Sequence, residues 1–254
     1  MKRIEFLSCP MDVATMDESV EWIRSRIERR QFTQHVVVNV AKLVHLQKDL
    51  KLAESVRACD MINIDGMGVV WGARLMGFSV PERVTGVDLF ENLLQMAEER
   101  SLPIFLLGAT DAVVTRTAEV VAERYPKLQI AGFHHGYFWD DEAQVVDKIG
   151  NSGARLLFVA ITSPSKENFI NRWKDLLRVD FVMGVGGTFD VVAGKVRRAP
   201  RWMQRSGLEW VFRVLQEPRR MWKRYLVTNC QFAMMLLKIR LASIFHPTVD
   251  EHGK

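Results

Sequence analysis

The sequence has little cysteine, no long apolar run and no repeat. Cys9, Cys59 and Cys230 are its three cysteines, far apart and outside any CxxC pair. An odd, scattered set argues against a disulfide framework and points to a reducing cytosol. No uncharged apolar stretch reaches the ~18 residues of a membrane-spanning helix. The opening MKRIEFLSCPMDV is basic, but its apolar part is short and holds Glu5 and Pro10, so it does not read as a secretory leader. No internal repeat and no low-complexity linker divides the chain.

What is present is the balance of a globular protein: 254 residues, 48% hydrophobic and 26% charged. The length suits one large α/β domain or a domain with an appendage. The net charge of +5 hides an asymmetry. Residues 195–224 carry ten Lys or Arg against Glu209 and Glu217, leaving 25 basic and 28 acidic residues elsewhere. A mildly acidic body thus bears one strongly basic element, which seeks phosphate in nucleic acid, lipid headgroups or a diphosphate substrate.

Short apolar runs alternate with amphipathic stretches up to about residue 195. The runs at 35–41, 61–65, 103–109, 129–138, 155–161 and 180–186 read as strands. Between them, Thr15 with Glu18 makes a capping box, Thr110 and Asp111 open a helix that Pro126 closes, and Ser163-Pro164 starts another with proline at the first helical position. Strands alternating with helices predict a Rossmann-like, mainly parallel sheet flanked by helices. The predicted division is an α/β core over 1–195 and a basic, amphipathic helical appendage over 196–254, with Pro218 separating two of its helices.

Ligands of parallel sheets bind outside the carboxyl ends of the strands. The small and polar residues predicted there are Asn39, Asp65, Gly108 with Thr110, Gly136 with Tyr137, Ser163, Gly186 with Gly187, and Asp190. Asp65 ends a buried strand beside a glycine turn, where burial raises a carboxyl pKa towards that of a useful base. The rival reading is an Asp capping the next helix. The glycines at 66, 68 and 72 give GxGxxxG, and the acid precedes them, so a dinucleotide fingerprint is weak. Arg83 before a Thr-Gly turn either clamps a phosphate or carboxylate or pairs with Asp88 or Glu82. The paired glycines of GVGGTFDVVAG either approach a diphosphate or simply turn the chain.

His134 and His135 invite a metal reading, but neighbours on a strand face opposite ways, so core or surface histidines are expected. WDDE at 139–142 is not a DxD metal motif and reads as a helix start. No bound metal and no resident cofactor are predicted. The basic tail interleaves arginines with Trp202, Trp210 and Trp222 and leads into an apolar stretch broken by Lys238 and Arg240. A solvated helix and a nucleic-acid surface are both open readings; a helix in a membrane interface fits best.

Together these residues resemble the WecG/TagA/CpsF family of bacterial glycosyltransferases, from about Val37 to Tyr225. The specific portion is GVGGTFDVVAGKVRRAPRWMQRSGLEWVFRVLQEPRRMWKRY, with NIDGMG, RVTGVDL, LLGA and HHGYF in order before it. The resemblance implies an inverting, metal-independent transfer of a sugar from a nucleotide donor, usually UDP-linked, to an undecaprenyl-diphosphate-linked sugar. It implies work at the inner face of the cytoplasmic membrane by a peripherally bound, cytoplasmic protein that makes teichoic acid, common antigen or exopolysaccharide.

By resemblance, Asp65 is the general base and Arg83 a second catalytic residue. Asn39 and Thr85, with Arg213, Arg219, Arg220 and Arg224 of the tail, fall on the acceptor and sugar side. Gly108, Gly136, Tyr137, Glu167, Gly186, Gly187 and Asp190 fall on the nucleotide side. Val37 stands where the family has Thr, and SPSKE replaces SPKQE with Glu167 retained, so the donor sugar stays open. The readings from other classes are a different Rossmann-type nucleotide enzyme, such as a dehydrogenase, and a nucleic-acid-binding protein using the tail. Whether copies of the chain associate is left open by composition.

Overall fold

The computed structural model of the chain describes residues 1–245, of which residue 220 and residues 242–245 are described by backbone alone. It begins with an antiparallel hairpin, β1 (Lys2–Phe6) and β2 (Cys9–Val13). Helix α1 (Met16–Glu28) starts on the expected capping box of Thr15 and Glu18. Strand β3 (Thr33–Val38), α2 (Val40–Leu46), α3 (Leu50–Arg57) and β4 (Met61–Ile64) follow. Next come α4 (Met67–Leu75), α5 (Gly86–Glu99), β5 (Ile104–Gly108), α6 (Asp111–Arg124) and β6 (Ile130–His134). The core closes with α7 (Glu142–Gly150), β7 (Leu156–Ala160), α8 (Ser165–Trp173), β8 (Phe181–Gly184) and α9 (Thr188–Val192). Three helices complete the described chain: α10 (Arg201–Arg205), α11 (Glu209–Gln216) and α12 (Pro218–Phe245), the last two parted at Pro218 as expected.

The eight strands form one sheet in the order β1-β2-β4-β3-β8-β7-β5-β6, parallel except for the β1–β2 pair. The expected parallel α/β sheet is therefore present, with an antiparallel hairpin added at one edge. Each strand read from the sequence ends before its apolar run does, and two end three or more residues early. The run at 35–41 stops being strand at Val38 because Asn39 already caps α2, accepting from the Lys42 N–H at 3.0 Å. That at 129–138 ends at His134. Pro164 sits at the cap of α8 rather than in its first turn, and Thr110 makes no side-chain capping bond.

Continuous apolar strands such as IFLLG and LLFVA are buried on both faces, the mark of a covered parallel sheet. On one face α1, α5, α6 and α9 pack around Phe90, Phe158 and Phe189, with Phe90 edge-on to Phe158 at 4.7 Å. The other face carries two clusters: the hairpin with α2, α3 and α4, and α7 with α8. Each large side chain fully buried in this way contributes about 1.5–3 kcal/mol.

Helices α4 and α5 lie on opposite faces, so the segment between them must cross the carboxyl rim of the sheet. It does so over β4, where the Val84 N–H donates to the Ile64 carbonyl at 2.8 Å. At β3/β8 and again at β5/β7, neighbouring strands feed helices on opposite faces. Such divergence opens a crevice at the rim.

The tail is packed onto the core. Phe232 of α12 enters the hairpin-side cluster with Met235 and Leu236, and its ring lies where a Cβ on Gly72 would come within 2.7 Å. The sequence reading ranked a membrane interface first for the tail; one side of α12 is taken by α2 and α4. Its other side leaves Leu226, Val227, Met234, Leu237 and Leu241 exposed. Among the described residues, no helix is long and apolar enough to cross a membrane.

Candidate active site

The four residues of β4, MINI, are all buried and deliver Asp65 to the rim, where its N–H bonds the Val38 carbonyl at 2.8 Å. Gly66 then turns the chain with φ +103, a conformation that L side chains rarely adopt. Helix α4 has no side-chain cap, so the capping role for Asp65 does not hold. Burial pushes the Asp65 carboxyl up to about 6, and the nearby Glu209 carboxylate adds to the rise. Arg83, Arg213 and the Gly86 N–H oppose it. A group titrating there is mostly ionised at neutral pH and still basic enough to accept a proton.

Arg83 reaches the same place because the crossing segment is pinned to Ile64. Neither partner read from the sequence is its own. Glu82 accepts from the Met16 N–H at 2.6 Å, and Asp88 is gripped by both Nη atoms of Arg198 at 2.6 and 2.7 Å. Arg83 instead binds the tail, donating Nη1 to Glu209 and Nη2 to the Gln204 carbonyl, each at 3.0 Å. Local sequence spacing favoured close partners; packing of α10 and α11 over the rim supplied distant ones. Thr85 caps α5, and its hydroxyl donates to Asp88 at 2.5 Å.

Arg213 of α11 completes the cluster. Its charge is felt at Asp65, and its Nη2 lies 4.0 Å from where a Cβ on Gly187 would stand. No ion pair holds it among the described residues. Asn39 stands beside the Asp65–Gly66 turn, its Cβ 3.9 Å from a Cβ built on Gly66. Three guanidinium groups (Arg83, Arg198, Arg213) and three carboxylates (Asp65, Asp88, Glu209) therefore share one end of the rim. Arg198 and Glu209 were not singled out from sequence; the RRAP and GLEW segments that carry them were.

Other predicted positions lie elsewhere. Gly108 and Gly136 meet each other, with the Gly136 N–H on the Ala109 carbonyl at 2.8 Å. Gly108, ending β5, sits four strand steps from β4, about 19 Å along the rim, and Tyr137 next to Gly136 is exposed. Asp190 pairs with Lys195 at 3.3 Å. Glu167 is buried beneath the rim, its Oε1 bonded to Lys42 at 2.7 Å and near Lys166 at 3.5 Å. Those ammonium groups overcome desolvation and hold its carboxyl at about 2, while burial lowers Lys166 to about 8. Its Oε2 is buried with no partner. Arg219 and Arg224 are exposed on α12, and the side chain of Arg220 lies outside the described residues.

Because β6 ends at His134, His135 is free to turn, and the two rings come within 4.3 Å rather than facing opposite ways. Among the described residues, no group of three or more His, Cys, Asp or Glu could hold a metal ion.

Known proteins carry the same pattern. A model of the glycosyl transferase WecG/TagA/CpsF family matches residues 4–244. An N-acetylglucosaminyldiphosphoundecaprenol N-acetyl-β-D-mannosaminyltransferase of Bacillus spizizenii is 39% identical over 66% of this chain and 65% of its own length, just under two thirds. The Bacillus subtilis protein with the same description is 36% identical over 75% of this chain and 73% of its own.

Proposed function

The chain belongs to the WecG/TagA/CpsF family of glycosyltransferases, and from that premise we propose that it moves a sugar from a UDP-linked donor to a sugar on undecaprenyl diphosphate. Cell-surface polysaccharide, exopolysaccharide or a teichoic acid linkage unit is the product class. Family membership sets aside the dehydrogenase and nucleic-acid readings. The observation that carries the mechanism is Asp65, a rim carboxylate raised to about 6 and flanked by Arg83 and Arg213.

In this reading Asp65 takes the proton from an acceptor hydroxyl as its oxygen attacks the anomeric carbon. The bond from that carbon to the diphosphate breaks on the opposite side, so configuration inverts. Negative charge grows on the departing nucleoside diphosphate. Arg213, beside the Gly186–Gly187 turn, and Arg83 are placed to meet it, and such preorganised charge is often the largest catalytic contribution. Guanidinium groups carry that task here, so transfer should persist in EDTA.

The tail gives the lipid-linked substrate a surface to approach. Trp202, Leu215 and Trp222 are exposed beside Arg201, Arg205, Arg219, Lys223 and Arg224. Tryptophan suits headgroup depth, and each basic residue near an anionic leaflet adds about 1 kcal/mol. We therefore read the protein as peripheral to the inner leaflet. The relatives' N-acetylmannosaminyl donor and N-acetylglucosaminyl acceptor are the first pair to try. A panel of UDP- and GDP-sugars offered with synthetic lipid-diphosphate sugars, read by mass spectrometry, tests the reading; no glycosylated lipid from any pair would refute it.

A further inference from the structure

The carboxylate that holds Arg83 comes from the tail, not from the core around it. Glu209 opens α11, its side chain 22% exposed, and it bonds an arginine whose side chain is 14% exposed. Its charge also reaches Asp65 and Arg198. Glu209 therefore sits among the groups that must accept an incoming diphosphate.

Charge balance makes this placement consequential. With Asp65 ionised, the three guanidinium groups and three carboxylates of the cluster sum to zero. A nucleoside diphosphate brings two or more negative charges into this space; Arg213 has no ion pair among the described residues, and a second guanidinium comes free only where a carboxylate yields it. Asp88 is fixed by two bonds from Arg198, one from the Thr85 hydroxyl and its own N–H on Thr85. Asp65 is the reacting base. Among the described residues Glu209 makes a single ion pair, and it stands two residues past Gly207, the φ +74 turn that joins α10 to α11.

We propose that Glu209 is a displaceable internal anion: it occupies Arg83 in the empty site and is exchanged for the diphosphate of the donor, so that it weakens nucleotide binding and keeps the product nucleotide releasable. This rests on the nucleotide-sugar reading above and adds a positioning residue that acts through Arg83. The exchange makes and breaks only hydrogen bonds and ion pairs. The Gln204 carbonyl, the other acceptor of Arg83, is neutral and offers a diphosphate weaker competition.

Calorimetry with UDP on the full chain tests it. Glu209→Gln keeps the shape and removes the charge; Glu209→Ala removes both. Each should tighten UDP on the order of tenfold, the size of one charge-assisted hydrogen bond. In parallel, the acid limb of kcat/KM should move to lower pH in both, because Asp65 loses a like-charged neighbour while Arg83, Arg198 and Arg213 remain. A purely structural latch would not tighten UDP. Unchanged or weaker UDP binding in both variants, while the wild type binds, overturns the proposal. A wild-type chain that binds no nucleoside diphosphate overturns the nucleotide-sugar reading and this proposal with it.

Discussion

Arg83 donates to the Glu209 carboxylate at 3.0 Å across 126 residues of sequence, joining the segment that crosses the sheet rim to the helices that close the chain. The site is consequently built from two sources. The core provides Asp65, Asn39 and the Gly186–Gly187 turn; the tail provides Arg213, Arg198 and Glu209. Removing the tail takes away more than the surface proposed to meet the membrane. It strips Asp65 of the neighbours that set its charge, and it uncovers Gly72 where Phe232 packs.

The pH profile of the enzyme should carry the signature of Asp65. As general base it must be ionised, so kcat/KM falls as pH drops through about 6. Arg213→Gln removes a cation that favours the ionised form, and its acid limb should lie at higher pH than that of the wild type. Rate profiles from pH 4.5 to 9 check this, and an unmoved limb would separate Arg213 from Asp65.

Asp65 should also cost the fold stability at neutral pH. Its folded pKa of about 6 exceeds the ordinary 3.8, so its contribution is fully present below about 3.8 and is lost as pH rises through 6. Asp65 as a residue is only partly buried, which reduces the full two-unit linkage to about 1–2 kcal/mol. Asp65→Asn should therefore unfold later than the wild type at pH 8, and at the same point near pH 3.5. Urea melts at the two pH values give the comparison.

Glu167 should behave in the opposite sense. Lys42 and Lys166 hold it at about 2, below its usual 4.5, so its contribution is present above 4.5 and is lost as pH falls towards 2. Glu167→Gln leaves Lys42 buried without its partner, a change that costs about 3–5 kcal/mol. Lys166→Gln, which restores the residue of the resembled family pattern, removes an ammonium that burial already disfavours and should cost less than about 1 kcal/mol. Denaturant midpoints for both variants at pH 7 distinguish the two effects.

The exposed tail residues should govern membrane binding without disturbing the packed side of α12. Replacing Trp202 and Trp222 by alanine leaves Phe232 in place. Co-sedimentation with anionic vesicles should weaken at least tenfold, about 1.4 kcal/mol, and the wild type should lose binding as salt rises. Equal sedimentation of variant and wild type would contradict the interfacial reading.

How much was legible follows from how local each feature is. IFLLG and LLFVA announce strands because both of their faces are buried, and MINID announces an acid at a strand end. The β1–β2 hairpin did not show, since its strands are only five residues long and one contains Pro10. Asn39 looked like strand because its capping bond depends on a helix only seven residues long. The pairs Arg83–Glu209 and Lys42–Glu167 span 126 and 125 residues, and no local pattern encodes which distant charges meet. The tail's arginines were legible as charge, whereas its docked face became visible only through Phe232 and Gly72.

Transfer by Asp65→Asn tests the central claim most directly. With a donor and a lipid-diphosphate acceptor that the wild type joins, product formation followed by mass spectrometry should fall by about 10²–10⁴-fold in the variant, while UDP binding and the folded circular dichroism spectrum persist. Transfer by Asp65→Asn at the wild-type rate would contradict the assignment of Asp65 as the base.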